Sequence, residues 1–359
     1  MKNLVLPVLV IVPLTVGGLW VLTGSKSETV AALPGPDEQV IEVKADTRTV
    51  GTGPLIAPIA CTDPATCIVQ NHVDMKAGPG IADFACGGRT EDEHQGVDFR
   101  ILDLPTMLTG VPVIAVADGE VIGARGSEYD GAWKAGARDV VGARECGNGV
   151  AIRHDDGLVT QVCHLRRDSV LVEEGERVTQ GQRIASVGMS GKAEYPHVHL
   201  SVTRDGERVD PFTNRAIGAG CGGAIDGGLW SGVIPDHWRA DAGPFAFKSG
   251  FAGAPVTLAT IERSLAAPKA DSAALVFYTR AVSLKEGDIE KIALTGPEGF
   301  DPYGSVSEPL DGDRAQTMRF VGRPAGADAP LPTGEYQGHY QVLRDGEPVL
   351  DIRRRYVLQ

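Results

Sequence analysis

The chain reads as mainly β, organised as two globular units behind an N-terminal extension, and three observations carry this. The sequence holds 46 glycines and 23 prolines with only 6% aromatic residues, which favours short strands and tight turns over helical bundles. Short runs of alternating apolar and polar residues recur along it, the period of a half-buried strand. Its 359 residues exceed what one ordinary core fills and leave room for two modest domains.

Residues 1–24 open with Lys2 and run on as LVLPVLVIVPLTVGGLWVLTG, with no charge between Asn3 and Lys26. About twenty mostly apolar residues suit a secretory signal peptide or a single membrane anchor, and either one exports the chain. The length, and the lack of a small-x-small site directly after the run, tip the reading towards an anchor, although Pro7, Pro13, Gly17 and Gly18 interrupt a continuous helix. Residues 25–60 are rich in Pro, Gly and Thr without an apolar period and read as a linker.

The first folded unit is expected over 61–228. Its strands are 94–101, 111–123 with a bend at Ala117-Asp118-Gly119, and a hairpin of 149–154 and 158–165 around Asp155-Asp156-Gly157. A long insertion at 125–145, carrying Tyr129 and Trp133, precedes the hairpin. Such segments wall a groove when they are not plain surface loops. Further on come strand 184–187, a glycine-containing loop at 188–196 and strand 197–203, closed by the turn at Asp205-Gly206. The glycine-rich run 218–228 marks a boundary. The second unit, 229–359, has strands over 272–282, 291–295, 316–321, 334–344 and 349–358, which a small β-sandwich accommodates.

Forty-seven acidic against 34 basic residues give a net charge of −13, which disfavours nucleic acid or an anionic membrane surface as the main partner. The even set of cysteines, Cys61, Cys67, Cys86, Cys146, Cys163 and Cys221, suits an oxidising compartment. Cys61 and Cys67 enclose a short loop that a local bridge would pin. The hairpin brings Cys146 near Cys163 if a register offset or bulge is allowed, and Cys86 with Cys221 would then close the unit end to end.

The residues that carry chemistry gather in a few places. His197 and His199 are two apart on a strand and project to one face. His94 and Asp98 are four apart, and His164 ends the second strand of the hairpin. Two neutral imidazoles and one carboxylate around a tetrahedral Zn²⁺ leave one position for water, the donor set of a zinc hydrolase. His154, beside a turn, reads as a local hydrogen-bonding residue, Asn148 as a backbone-holding one, and His72 as part of a solvated loop. His237 and His339 have no ligand spacing around them, so the second unit is assigned no chemistry. Arg353-Arg354-Arg355 reads as a solvated strand face.

With these residues laid out, 86–212 resembles the lysostaphin/LytM-type zinc endopeptidases, peptidase family M23. The family's His-x-Gly-x-Asp is met by His94-Gln95-Gly96-Val97-Asp98, its Gly-Asn-x-Val-x-Ile-x-His strand by residues 147–154, its x-x-His-Leu by Cys163-His164-Leu165, and its His-x-His by His197-Val198-His199. Four ordered elements make a far more specific signal than a lone His-x-His. The resemblance implies a LytM-type antiparallel β-sheet peptidase domain, with one Zn²⁺ held by His94, Asp98 and His199. It implies that His164 and His197 are the unligated pair, handling the proton of the attacking water and assisting the oxyanion or the leaving amine. The substrate it implies is the stem or cross-link peptides of bacterial peptidoglycan, reached in the periplasm or cell envelope. One departure stands out: the family commonly continues His-x-His with Phe-Glu, and here Leu200-Ser201 follow. A carboxylate that would orient a ligating imidazole is missing, with Ser201 or Glu194 as substitutes. The alternative is a non-catalytic LytM-fold protein that binds wall material or activates another wall hydrolase. Such proteins typically lack some metal ligands, and this sequence lacks none. A biotinyl-type carrier module fits the glycine turns but leaves the histidines unexplained. The sandwich would position the catalytic unit or bind a partner.

Overall fold

A computed structural model describes residues 49–359 apart from 132, 134–135, 137–140, 223–224, 226–227 and 324–329. The expected signal or anchor, most of the linker and part of the 125–145 insertion lie outside the described residues. Among the described residues no helix is long and apolar enough to cross a membrane. The end of the expected linker is folded: strand Thr49–Thr52 pairs antiparallel with Ser231–Ile234, and Leu55 and Ile59 are buried.

The chain is mainly β and antiparallel, as expected. A nine-stranded sheet runs in the order Arg215–Ala216, Glu207–Asp210, His197–Arg204, Val159–Leu165, Asn148–His154, Gly119–Arg125, Arg177–Val178. Strand Val97–Ile101 pairs with the first half of His197–Arg204, and Cys67–Val69 extends the sheet beyond it. The His197–Arg204 strand is therefore flanked on both sides along its length. Its alternate residues Val198, Leu200 and Val202 are fully buried in the core, which turns His197 and His199 to the other face. The core continues through Phe99, packed edge-on against Trp230 at 5.8 Å and Trp238 at 5.4 Å. Burying a side chain of that size is worth about 1.5–3 kcal/mol. Trp238 and Ala240 belong to this core although they follow the glycine-rich run.

All three bridges form: Cys61–Cys67, Cys86–Cys221 and Cys146–Cys163. The third needs an irregularity in the hairpin. Asn148 pairs with Leu165 and Val150 with Val162, so Gly149 alone faces both Cys163 and His164. This is a β-bulge, and a Cβ on Gly149 would sit 2.7 Å from Cys146 Sγ.

The second unit has two sheets. Phe245–Ala252, Leu275–Leu284 and Arg314–Arg323 form one; Tyr303–Val306, Ile289–Thr295, Gly334–Arg344 and Glu347–Leu358 form the other. They share a core containing Phe277, Leu294, Tyr336 and Tyr340, the arrangement of a sandwich. Strand Phe245–Ala252 was not expected: its pairing slips between Ala246 and Ser249, and Lys248 takes φ 65°, which breaks the alternation. The first sheet rests on the first unit through Ile68, Phe247 and Val282, with Lys248 Nζ 2.7 Å from Asp103 Oδ2 and Gly88 N donating to Asp313 Oδ2 at 3.1 Å.

Candidate functional site

Antiparallel register sets Asp98 opposite His199 and Arg100 opposite His197. Directly opposed residues share a face, so the His197/His199 pair meets Asp98 on the side away from the core. His94 arrives from the turn before the strand, and Gly96 makes room for the contact. A Cβ there would lie 2.5 Å from His199 Nε2 and 2.5 Å from the Leu200 carbonyl oxygen, so only glycine lets the His199 ring lie against this backbone.

His94 Nε2 is 3.2 Å from Asp98 Oδ2, and His199 Nδ1 is 2.9 Å from Asp98 Oδ1. Donors on a tetrahedral zinc with bonds of about 2.0 Å stand about 3.3 Å apart, so these spacings suit a metal. The ligand atoms of all three residues lie within 4.8 Å of one another. His94 Nδ1 donates to the His72 carbonyl at 2.7 Å, a tautomer that leaves the Nε2 lone pair for a metal. Asn71 fixes the carboxylate: its Nδ2 donates to Asp98 Oδ2 at 3.1 Å, and its carbonyl accepts from the Asp98 amide at 2.9 Å. Asn71 Nδ2 also donates to Glu91 Oε1 at 3.1 Å and to the Tyr195 hydroxyl at 3.2 Å.

His164 and His197 stand side by side, ring centroids 4.6 Å apart. His164 Nδ1 donates to the Ser190 carbonyl and His197 Nδ1 to the Tyr195 carbonyl, both at 2.8 Å, so each keeps its lone pair on Nε2. Regular alternation would point His164 away, because Cys163 is the residue opposite His199. The bulge and the φ of 61° at His164 turn its imidazole back to the site. The insertion contributes here: the Asp130 carboxylate accepts from the amides of Met189 and Arg167 and braces the loop whose Ser190 carbonyl holds His164.

Electrostatics separates the four imidazoles. Burial, with His197 and His199 adjacent, holds His164 well below the ordinary histidine pKa. Burial lowers His197 and His199 as well, against the pull of Asp98. His94 moves the other way: burial opposes its charge, but Asp98 lifts it to about 9. Asp98 is itself kept well below the usual carboxylate range, burial notwithstanding, by His94, His197 and His199. Neutral His164 and His197 beside the His94, Asp98 and His199 set can take up a proton and pass it on.

Residues 92–211 match the model of peptidase family M23. It is over that region that the chain is similar to this family. Over 117 residues it is 31% identical to the peptidoglycan DD-endopeptidase ShyA of Vibrio cholerae, covering 33% of this chain and 22% of that protein. Over 171 residues it is 26% identical to the murein hydrolase activator NlpD of Salmonella dublin, covering 46% of this chain and 38% of that protein. A crystal structure of a zinc-containing peptidase from Vibrio cholerae is 26% identical, with a TM-score of 0.26, over 40% of this chain and 39% of that one. The chain thus spans about a fifth to two fifths of the length of these curated relatives.

Not every expectation about the M23 region holds. His72 is fully buried between Phe84 and Phe212, not in a solvated loop, because its backbone serves the site and its ring fills the space beneath. Ser201 accepts a hydrogen bond from Arg208, and Glu194 is exposed, so neither stands in for the missing carboxylate behind His199. His154 is local, as expected, with Nδ1 2.8 Å from the Asp118 carbonyl and Nε2 2.8 Å from Thr160 Oγ1. Sequence reasoning missed the roles of Asn71 and Arg100. Arg100 was detectable as the next residue after Asp98 on the same strand face; Asn71 lies outside every motif.

Proposed function

We propose that this chain is a zinc-dependent endopeptidase that hydrolyses peptide bonds in the stem or cross-link peptides of bacterial peptidoglycan, in the periplasm or cell envelope. One observation carries the reading: three metal-spaced donors, His94, Asp98 and His199, share a buried face with two imidazoles, His164 and His197, whose surroundings keep them neutral. In this reading His94 Nε2, the Asp98 carboxylate and His199 Nδ1 hold the zinc. When bound, zinc supplies Lewis acidity towards the scissile carbonyl and the attacking water. His164 and His197 divide the proton work through their Nε2 atoms, that of His197 lying 3.6 Å from Asp98 Oδ1. One takes the proton of the attacking water, while the other hydrogen-bonds the developing oxyanion or delivers a proton to the leaving amine. The substrate class is supported by the named activity of ShyA. The 61–228 unit carries the chemistry, and 229–359 is the accessory unit.

The activator reading has the NlpD relative on its side. The complete set of five side chains weighs against it. The deciding experiment measures zinc content and release of new amines from purified peptidoglycan by the full chain. His199→Ala is expected to lose both. His164→Ala and His197→Ala are expected to keep zinc and lose about 10²–10⁴-fold in rate. Zinc-loaded wild-type protein that releases no amine would overturn the peptidase reading in favour of the activator.

A further inference from the structure

The second unit, assigned no chemistry from sequence, reaches the site through one buried side chain. Arg100 follows Asp98 on the site face of its strand and lies opposite His197. Its side chain is 1% exposed. The guanidinium covers the face of the Tyr195 ring, 4.0 Å from its centroid. On its far side Nη2 donates to Glu262 Oε1, and Nη1 donates to Gln316 Oε1 and to Gln70 Oε1, each at 3.0 Å. Glu262 and Gln316 both belong to the second unit. Glu262 closes the short helix Leu258–Ile261, accepts from Arg280 Nη2 at 2.6 Å, and receives the Leu104 amide on its carbonyl at 2.9 Å.

The near end of this chain of contacts lands on the proton-handling side of the site. The Tyr195 ring packs against His197, centroids 4.8 Å apart. The Tyr195 carbonyl accepts a hydrogen bond from His197 Nδ1–H, which fixes the tautomer. Its hydroxyl accepts from the Asn71 amide that also holds Asp98. Burying a guanidinium is costly unless its charge is compensated, and Glu262 is the carboxylate that ion-pairs with both Arg100 and Arg280. A planar guanidinium so fixed holds an aromatic face in place, which a flexible ammonium does not.

We propose that Arg100, held from the second unit by Glu262, is a positioning residue for Tyr195 and through it for His197, so that the sandwich is a working part of the site. The kinetic arm of its test rests on the peptidase reading; the spectroscopic arm does not.

The experiment uses the full chain as wild type and as Glu262→Gln, Arg100→Lys and Asp313→Ala. The last breaks another contact between the units, at Gly88, away from the site. For the first two variants kcat for amine release is expected to fall about 10–100-fold with KM and zinc content near wild type. In the long-range proton–nitrogen spectrum of the imidazoles, His197 is expected to change from one Nδ1-protonated tautomer to a mixture. Asp313→Ala is expected to match wild type in both readouts. If wild type cleaves nothing, the peptidase reading fails while the His197 spectrum still decides the positioning role. An unchanged His197 spectrum in folded Glu262→Gln and Arg100→Lys would overturn the proposal. So would loss of zinc in these variants, or an equal effect of Asp313→Ala, which would reduce the network to metal retention or to general cohesion.

Discussion

Cutting the Cys146–Cys163 bridge separates stability from catalysis. The three bridges join residues 6, 17 and 135 apart. Loop closure on this scale removes unfolded-chain entropy worth about 2, 3 and 5 kcal/mol respectively. Paired alanine variants should therefore lose stability in the order Cys61/Cys67, Cys146/Cys163, Cys86/Cys221. Catalytic loss should follow a different order, because only the second bridge adjoins a site residue. Cys163 precedes His164, and the Cys146 carbonyl accepts the His164 amide at 2.9 Å. The left-handed backbone at His164 costs a residue with a Cβ about 1–2 kcal/mol. Freed of the bridge, the bulge can relax to regular pairing, which turns the imidazole to the opposite face. Release of that energy lowers the site-facing population, and with it kcat/KM, about tenfold. Urea unfolding gives the stabilities, and amine release per mole of folded protein gives the catalytic term. A Cys146→Ala/Cys163→Ala protein about 3 kcal/mol less stable but fully active when folded would refute the argument, as would equal catalytic losses in all three variants.

Three further outcomes are expected. Asn71→Ala removes the amide that orients Asp98 and should weaken zinc binding about 10–100-fold in competition with a chelator; an unchanged affinity would show that the Asn71 contact is idle. Gly96→Ala places a methyl group 2.5 Å from His199 Nε2 and should cost a similar factor in zinc affinity although residue 96 is no ligand; one tightly held equivalent would mean that the ring can retreat without loss. Burial raises Asp210 to about 6. Its folded value exceeds its unfolded one, so its contribution is present in full below about pH 4 and is lost as pH rises through about 6, some ~3 kcal/mol in all. Urea midpoints for Asp210→Asn and wild type should therefore diverge between pH 4 and pH 6 and run parallel above it, whereas parallel profiles throughout would contradict the burial effect.

What was legible in the sequence is what local periodicity controls. Asp98 and His199 face each other because each strand alternates, and the alternation of HVHLSV shows which residues leave the core. The glycine at 96 was legible only as part of the His-x-Gly-x-Asp resemblance, since the ring it admits is that of His199 on the partner strand. His164 stood out as a candidate, but its role came only through the resemblance: period alone points it the wrong way, and the bulge that corrects it depends on a glycine in the partner strand. Asn71 and Glu262 were not legible at all. Asn71 stands 27 residues from Asp98 and Glu262 stands 162 from Arg100. No spacing rule links residues whose contact is created by tertiary packing. His72 failed for the same reason, since a histidine beside Asn and Asp looks solvated until two phenylalanines close over it.

The absent carboxylate after His-x-His shows how such gaps are filled. An acidic residue there would orient His199 by hydrogen bonding. Here the ring lies against the Gly96 backbone, where there is no room for a Cβ, so packing restricts the orientation that a hydrogen bond would otherwise set. The polar support has moved to the other ligands: the His72 carbonyl on His94 and the Asn71 amide on Asp98, both from a segment before the 92–211 match. A piece cut at the borders of that match would keep every ligand and lose the groups that aim two of them. It would also lose Glu262, leaving Arg100 without its anion two residues from Asp98. The 92–211 piece on its own should therefore bind zinc more weakly than the full chain by more than the loss of Asn71 alone predicts. Equal affinity in the two would mean that the ligands aim themselves, and the supporting contacts would then be consequences of the site, not its cause.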